Sequence, residues 1–298
     1  MLQQTSLRRS QLGIPGNEDQ LVSDAIDSGA DELFFDLEDS LAPSEKEHAR
    51  AALVDTILSE DWSKTVLSYR INGIDTRWWY EDIIEVVSAV GGRLDTVIVP
   101  KVRGPTDVRT VATLLSSVEA SAGIEPGSIG LNPQIETANG MNSVTEIAHS
   151  SDRITAIIFG PADYAASVGA AHGATDYPGH YWHYPLSRIA HAAASAGLLA
   201  IGGPYTDPED LEGFTQECRY ERALGFDGKL IVHPKQVETT NKVFAPTIEE
   251  AERAEQIVLE YEQKNQGAVA AIEGNVIDRE MYHMAKQILM KARAAGLI

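Results

Sequence analysis

A single cysteine, Cys218, stands in a chain of 298 residues. One thiol closes no internal disulfide and builds no cysteine-based metal site, so a disulfide framework and a zinc-finger-type centre are excluded. Basic residues are scarce: 24 Lys and Arg stand against 44 Asp and Glu, for a formal net charge of -20. No Lys/Arg cluster exceeds Arg8-Arg9, so the basic face that a nucleic-acid backbone demands is missing and no nucleic-acid partner is expected. No apolar run approaches the ~18 residues of a membrane-spanning helix, so no membrane partner is expected either. The stretch from Met1 to Arg9 lacks the apolar run of a secretion signal. With the lone cysteine, these absences lead us to expect a cytoplasmic location. Also missing are G-x-S-x-G, HExxH, GxGxxG and GxxxxGK[ST], which removes the serine-hydrolase elbow, the zincin helix, the dinucleotide fingerprint and the P-loop.

What is present is ordinary for a folded chain: 43% hydrophobic and 23% charged residues. The acidic excess keeps such a protein soluble through self-repulsion, and adaptation to a salty cytoplasm is one bland reading of it. Short apolar runs recur, each closed by a polar or turn-forming residue. They are Gln11–Ile14, Glu32–Phe35, Thr65–Tyr69, Thr96–Val99, Ile129–Ile135, Ala156–Phe159, Leu198–Ile201 and Lys229–Val232. Their length and β-branched content suit strands buried on both faces, as in a parallel sheet. Helical spacing fills the gaps: Asn17–Gly29, Ser44–Leu58, Trp78–Val90, Asp107–Ala122, Met141–Ala148, Pro185–Ala196 and Pro208–Leu224. Eight such units end near residue 243, close to the ~250 residues of a (β/α)8 TIM barrel, which is the α/β fold we expect over an open doubly wound sheet.

Residues 1–243 then form the catalytic barrel and 244–298 an extension. Thr247 and Glu250 are spaced as a capping box opening one helix. Gln266 to Asn275 reads as a loop, and a second helix runs from about Arg279 to Ala295. Such an extension has two readings, oligomer glue packed on the barrel or a lid over the active site.

Chemistry in a barrel collects where strands end and helices begin. The exits carry Asp36, Glu38, Arg70, Lys101, Glu136, Asp163 and His233. Any one alone is as well explained by a solvated loop charge or a helix cap; the set is not. For Lys101, an ion pair with a neighbouring exit carboxylate is a better reading than a Schiff base. Carboxylates and Arg suit an all-oxygen site for a hard dication, since Mg2+ takes one or two protein carboxylates and fills the rest with water and substrate. Glu136 and Asp163 close adjacent strands and offer that pair. Arg70 offers a planar fork to a substrate carboxylate or carbonyl oxygen.

The chain resembles the HpcH/HpaI-type aldolases, the group of citrate lyase β-subunits and malyl-CoA lyases. The resemblance is carried by Arg9-Ser10-Gln11-Leu12 with Pro15-Gly16, Asp36-Leu37-Glu38-Asp39-Ser40-Leu41-Ala42-Pro43 and Arg70-Ile71-Asn72-Gly73-Ile74-Asp75-Thr76. It continues through Pro100-Lys101-Val102, Gln134-Ile135-Glu136-Thr137, Phe159-Gly160-Pro161-Ala162-Asp163 and His233-Pro234-Lys235-Gln236. Within the group, Asn72 to Thr76 with Trp79-Tyr80, Ala165-Ala166-Ser167 and Trp182-His183 look most like malyl-CoA and β-methylmalyl-CoA lyases. The resemblance implies a (β/α)8 barrel, dependence on Mg2+ with Mn2+ as a possible substitute, and reversible cleavage of a 3-hydroxyacyl-CoA. Malyl-CoA would give acetyl-CoA and glyoxylate, and β-methylmalyl-CoA would give propionyl-CoA and glyoxylate.

Carried over by motif, Glu136 and Asp163 are the metal ligands and Arg70 is a catalytic, substrate-binding residue. Gly13-Ile14, the Ala162-Asp163 main chain and Val232-His233 fall where such enzymes meet substrate or the CoA arm. Asp278 matches the acid on a C-terminal lid, where it would act as acid/base, often in a neighbouring subunit of a homo-oligomer (trimer or hexamer); it is equally placed to cap the last helix. Three departures stand out. Glu18 and Asp24 occupy the region where these lyases often present basic residues to CoA phosphates, and Gly202 replaces an Asp usual before the Gly-Pro of the seventh exit. Residues 175–182 look shorter than the corresponding lyase loop. Same-scaffold alternatives are a malyl-CoA thioesterase and a citramalyl-CoA lyase. An alternative of another class is a non-catalytic binding or assembly subunit that kept the barrel, against which the retention of Arg70, Glu136, Asp163 and Asp278 argues.

Overall fold

A computed structural model describes residues 7–16, 21–170, 181–263, 270–272 and 275–298. The apolar runs become eight parallel strands: β1 Ser10–Pro15, β2 Glu32–Asp36, β3 Val66–Arg70, β4 Thr96–Val99, β5 Gly130–Ile135, β6 Ala156–Phe159, β7 Leu199–Gly202 and β8 Gly228–Ile231. Each pairs with the next and β8 returns to β1, which closes the barrel in sequence order. Alternation along the strands explains why the runs are apolar throughout. Leu12, Ile14, Leu33, Phe35, Leu67 and Tyr69 face outward into the shell against the helices, while Phe34, Ile98, Ile158, Ile201 and Leu230 form a separate cluster inside the ring.

Below that apolar layer, near the strand starts, lies a closed circuit of polar side chains. Arg8 donates from Nε and Nη2 to Glu32 at 2.7 and 3.0 Å, and Ser68 Oγ donates to Glu32 at 2.5 Å. Ser68 meets Thr96 at 2.7 Å, Asn132 donates to Thr96 at 2.9 Å, and Thr155 donates to Asn132 at 2.7 Å. Arg8 Nη1 donates to Thr155 at 2.8 Å and completes the ring. Every member of this ring therefore has a partner, as burial favours, whereas the amide of the neighbouring buried Gln11 on β1 has none.

The helices are α1 Val22–Asp27, α2 Lys46–Ser59, α3 Trp79–Val90, α4 Pro105–Ser121, α5 Ala138–Asn142, α6 Val144–Ala148, α7 Pro161–Val168, α8 His183–Ala196, α9 Leu211–Leu224, α10 Val237–Phe244, α11 Ile248–Gln263 and α12 Arg279–Ala294. The stretch Met141–Ala148, expected as one helix, is divided at Ser143 between α5 and α6. The expected loop between α11 and α12 contains an antiparallel pair instead, β9 Ala270–Ile272 with β10 Asn275–Ile277. The capping box opening α11 is formed, with Thr247 N–H donating to Glu250 at 2.7 Å and Glu250 N–H to Thr247 at 3.1 Å. Ala254 on α11 packs with Ala285 and Leu289 on α12. Near its C-terminal end α12 is tied to the strand-entry side of the barrel by Lys291 Nζ and Asp227, 2.7 Å apart. Among the described residues no helix is long and apolar enough to cross a membrane.

Candidate active site

Register places the first pair of site residues together. Asp36 and Arg70 are the last residues of β2 and β3 and are direct neighbours across the ladder. Arg70 donates from Nε to one Asp36 carboxylate oxygen at 2.7 Å and from Nη2 to the other at 2.6 Å. The planar fork expected to grip a substrate is thus filled by Asp36. Nη1 remains, with only a 3.5 Å approach to Gln134 Oε1. Burial alone would raise the Asp36 carboxyl, but the guanidinium beside it and the N–H of Glu38 hold it below the usual carboxylate range.

Glu38 follows on the same exit loop, which is fastened from α2. The buried Lys46 ammonium donates to the Leu37 and Glu38 carbonyls at 3.0 and 2.9 Å and to Asn72 at 2.5 Å. Glu38 lies 3.5 Å from Arg70 and 2.6 Å from Lys101 Nζ. Burial, with help from the charge of Asp39, still pushes its carboxyl up against those two cations. Its Oε2 has no hydrogen-bond partner. The ion pair expected of Lys101 is therefore present, and Lys101 does a second thing. Its φ of 52° lies in the left-handed region, alone among the described non-glycine residues, and its N–H donates to Glu136 Oε1 at 2.6 Å.

Glu136 sits just past β5 and is buried. Gln134 Nε2 donates to its other oxygen at 2.6 Å. That oxygen lies where a side chain on Gly160 would begin, so a Cβ there would collide with Glu136 and Gln134. The glycine of Phe159-Gly160-Pro161 is required by close approach rather than by a turn. Pro161 opens α7, and Asp163, half-buried, occupies its first turn. Burial first, then the Glu38 charge, raises the Glu136 carboxyl to about 8; Asp163 adds to the rise, and Arg70 and the Lys101 N–H oppose it. Glu136 thus lies at the rim within reach of the charges of both Arg70 and Asp163.

No group of three or more His, Cys, Asp and Glu is arranged to hold a metal among the described residues; the pair Glu136 and Asp163 is what the mouth offers. The charge count nevertheless fits a hard dication. The carboxylates Asp36, Glu38, Glu136 and Asp163 outnumber the described cations near them, Arg70 and Lys101 at the mouth and Lys46 behind the Glu38 loop, and Glu38 keeps one orphaned buried oxygen. Two protein carboxylates with open positions beside them match the way Mg2+ is held over substrates.

The other expected residues divide. Gly13 points toward the ring interior, where a Cβ would strike the Phe34 ring. Ile14 is buried in the outer shell, so its side chain does not face the mouth. Ala162 and Val232 are exposed near the same rim, and His233 Nδ1 accepts from the Lys235 N–H at 3.1 Å. Asp278 is exposed and accepts the Met281 N–H at 2.8 Å as the cap of α12; no described contact brings it to the mouth. Asp24 is exposed on α1, while Glu18 and most of residues 175–182 lie outside the described residues.

Gly202 now has an explanation. The Glu221 carboxylate, from α9, fills the space that a side chain there would need. Glu221 is held by Lys229 of β8, whose fully buried ammonium lies 2.7 Å from both Glu217 and Glu221. The signal was available: a lysine inside an apolar strand, and two glutamates one helical turn apart in the preceding helix.

A family model described as HpcH/HpaI aldolase/citrate lyase matches residues 9–234. An L-malyl-CoA/beta-methylmalyl-CoA lyase of Rhodobacter capsulatus is 35% identical, over 97% of this chain and 96% of its own. The citrate lyase subunit beta of Leuconostoc mesenteroides subsp. cremoris is 33% identical, over 98% and 95%. Among solved structures, CitE from Mycobacterium tuberculosis in complex with magnesium, acetoacetate and coenzyme A superposes with a TM-score of 0.77 at 26% identity, covering 98% of this chain and 99% of that one.

Proposed function

Since the chain belongs to the HpcH/HpaI aldolase/citrate lyase family, we propose that it is a Mg2+-dependent carbon–carbon lyase of CoA thioesters. The substrates we assign are malyl-CoA or β-methylmalyl-CoA, cleaved reversibly to acetyl-CoA or propionyl-CoA plus glyoxylate. The observation that carries this reading is the mouth itself: Glu136 and Asp163 beside one uncommitted arm of Arg70. The relative at 35% identity bears a malyl-CoA lyase name, and the CitE structure was solved with magnesium and coenzyme A.

Glu136 and Asp163 would hold the Mg2+, with Mn2+ as a substitute. The bound cation would supply Lewis acidity to the carbonyl oxygen of a 2-oxo acid. Arg70, kept rigid by Asp36, would direct Nη1 at the enolate oxygen of the thioester and stabilise charge that is absent in the ground state. Gly13, the Ile14 main chain, Ala162, Val232 and His233 would line the path of the acyl-CoA. Asp278 would exchange the proton α to the thioester. The helix bearing it is tied at its far end to the strand-entry side, the Lys291 contact lying ~20 Å along the axis. With its described contact made to its own helix start, we assign Asp278 to the mouth of a neighbouring copy, in a homo-oligomer of three or six.

Product identity tests the reading. Purified protein with malyl-CoA and Mg2+ is expected to release glyoxylate, trapped as its phenylhydrazone. Free malate and CoA without glyoxylate would make it a thioesterase, and pyruvate released from citramalyl-CoA alone would move the substrate assignment.

A further inference from the structure

We propose that Lys101 is a positioning residue of this site, whose left-handed backbone aims its N–H at the metal-binding carboxylate of Glu136 while its ammonium anchors Glu38. The proposal rests on the metal reading above and extends it to a residue with no direct part in the chemistry. Three observations meet at this position. Lys101 alone among the described non-glycine residues has a positive φ, 52°, a conformation that side chains with a Cβ avoid and that persists where surrounding structure enforces it. Its N–H reaches Glu136 Oε1 at 2.6 Å. Its Nζ reaches Glu38 at 2.6 Å and Asp39 at 3.0 Å.

The two contacts have different physical duties. The N–H fixes the rotation of the Glu136 carboxylate: with Gln134 on Oε2 and Lys101 on Oε1, each oxygen keeps a lone pair for a cation in one orientation. The ammonium opposes the Glu38 charge, which bears on both Glu136 and Arg70. Outer contacts of this kind typically contribute ~10–100-fold to metal affinity or activity.

Substitutions separate the duties. Lys101→Gly keeps the backbone conformation and the N–H but removes the ammonium; Lys101→Val removes both, because a β-branched residue is excluded from that region. Mn2+ binding to the full-length protein, read by electron paramagnetic resonance without substrate, is the measurement. Lys101→Gly is expected to bind Mn2+ within about threefold of the parent, and Lys101→Val ~10–100-fold more weakly. If Lys101→Val fails to fold, as judged by circular dichroism, Lys101→Ala takes its place, with weakening again expected relative to Lys101→Gly. Equal affinities for the glycine and the valine or alanine variants would overturn the proposal, whether both are weak or both are strong. Glu136→Gln serves as the control: loss of Mn2+ there with intact binding in every Lys101 variant overturns the positioning role alone, whereas undiminished binding in Glu136→Gln removes the metal reading beneath it.

Discussion

Glu136 owes its geometry to two neighbours that act through the main chain: Lys101 bends left-handed to offer an N–H, and Gly160 withholds a Cβ. Neither effect is visible in residue type alone. At this scale the sequence announces charge but not pairing. Arg70, Glu136 and Asp163 are legible as site residues because each is ionisable and follows an apolar run. That Asp36 occupies two of the three donor arms of Arg70 depends on strand register, which no local pattern encodes. Cys218 gives a clear prediction. It is fully buried, and burial, with Glu221 and Glu217 adding and Lys229 opposing, pushes its thiol up to about 12. The thiolate is the reactive form, so iodoacetamide at neutral pH should leave the native protein unmodified and label one site after denaturation. Mass spectrometry reads both states; rapid labelling of native protein would contradict the burial.

Among the elements, β7 and α9 are locked by the exchange of one side chain for another. Gly202 leaves room, Glu221 fills it, and Lys229 neutralises the intruder. Gly202→Asp should set two carboxylates against each other in a packed space and destabilise the fold by ~2–4 kcal/mol, from overpacking and unpaired buried charge. Glu221→Ala in the same chain should recover most of that loss, because the new Asp then takes the vacated place beside Lys229. Urea unfolding of the single and double variants checks it; additive losses would show that the two positions do not share the space. Elements themselves were legible wherever periodicity was long. All eight strands follow the apolar runs to within a residue or two. The pair β9 and β10 was missed because three-residue strands carry too little alternation to be read, and α5 and α6 were fused because Ser143 does not interrupt the helical spacing.

At the scale of the whole molecule, the barrel interior is graded: a hydrogen-bonded polar floor, an apolar middle and a charged mouth. The floor ring holds the Arg8 and Glu32 charges inside the protein, and its members come from six strand or pre-strand positions spread across 148 residues, Arg8 to Thr155. Such a circuit is invisible to sequence reading because its members are neighbours only after closure. Glu32→Ala should leave Arg8 charged and unpaired and cost ~3–5 kcal/mol in unfolding free energy, whereas Thr155→Val, which removes one neutral member, should cost about 1 kcal/mol. Equal effects in chemical denaturation would mean that the Arg8–Glu32 pair is not the ring's keystone.

The charged mouth is where the fold and the proposed chemistry meet, and the dependence of turnover on a divalent cation tests that meeting most directly. Glyoxylate formation from malyl-CoA is to be followed in EDTA-treated protein as Mg2+ is titrated back, for the parent, Glu136→Ala and Asp163→Ala. The parent should be silent in EDTA and recover with Mg2+, while both variants, with circular dichroism unchanged, should stay at least ~100-fold below it at every Mg2+ concentration. Full turnover in EDTA, or parent-like titration curves in both variants, would contradict the account.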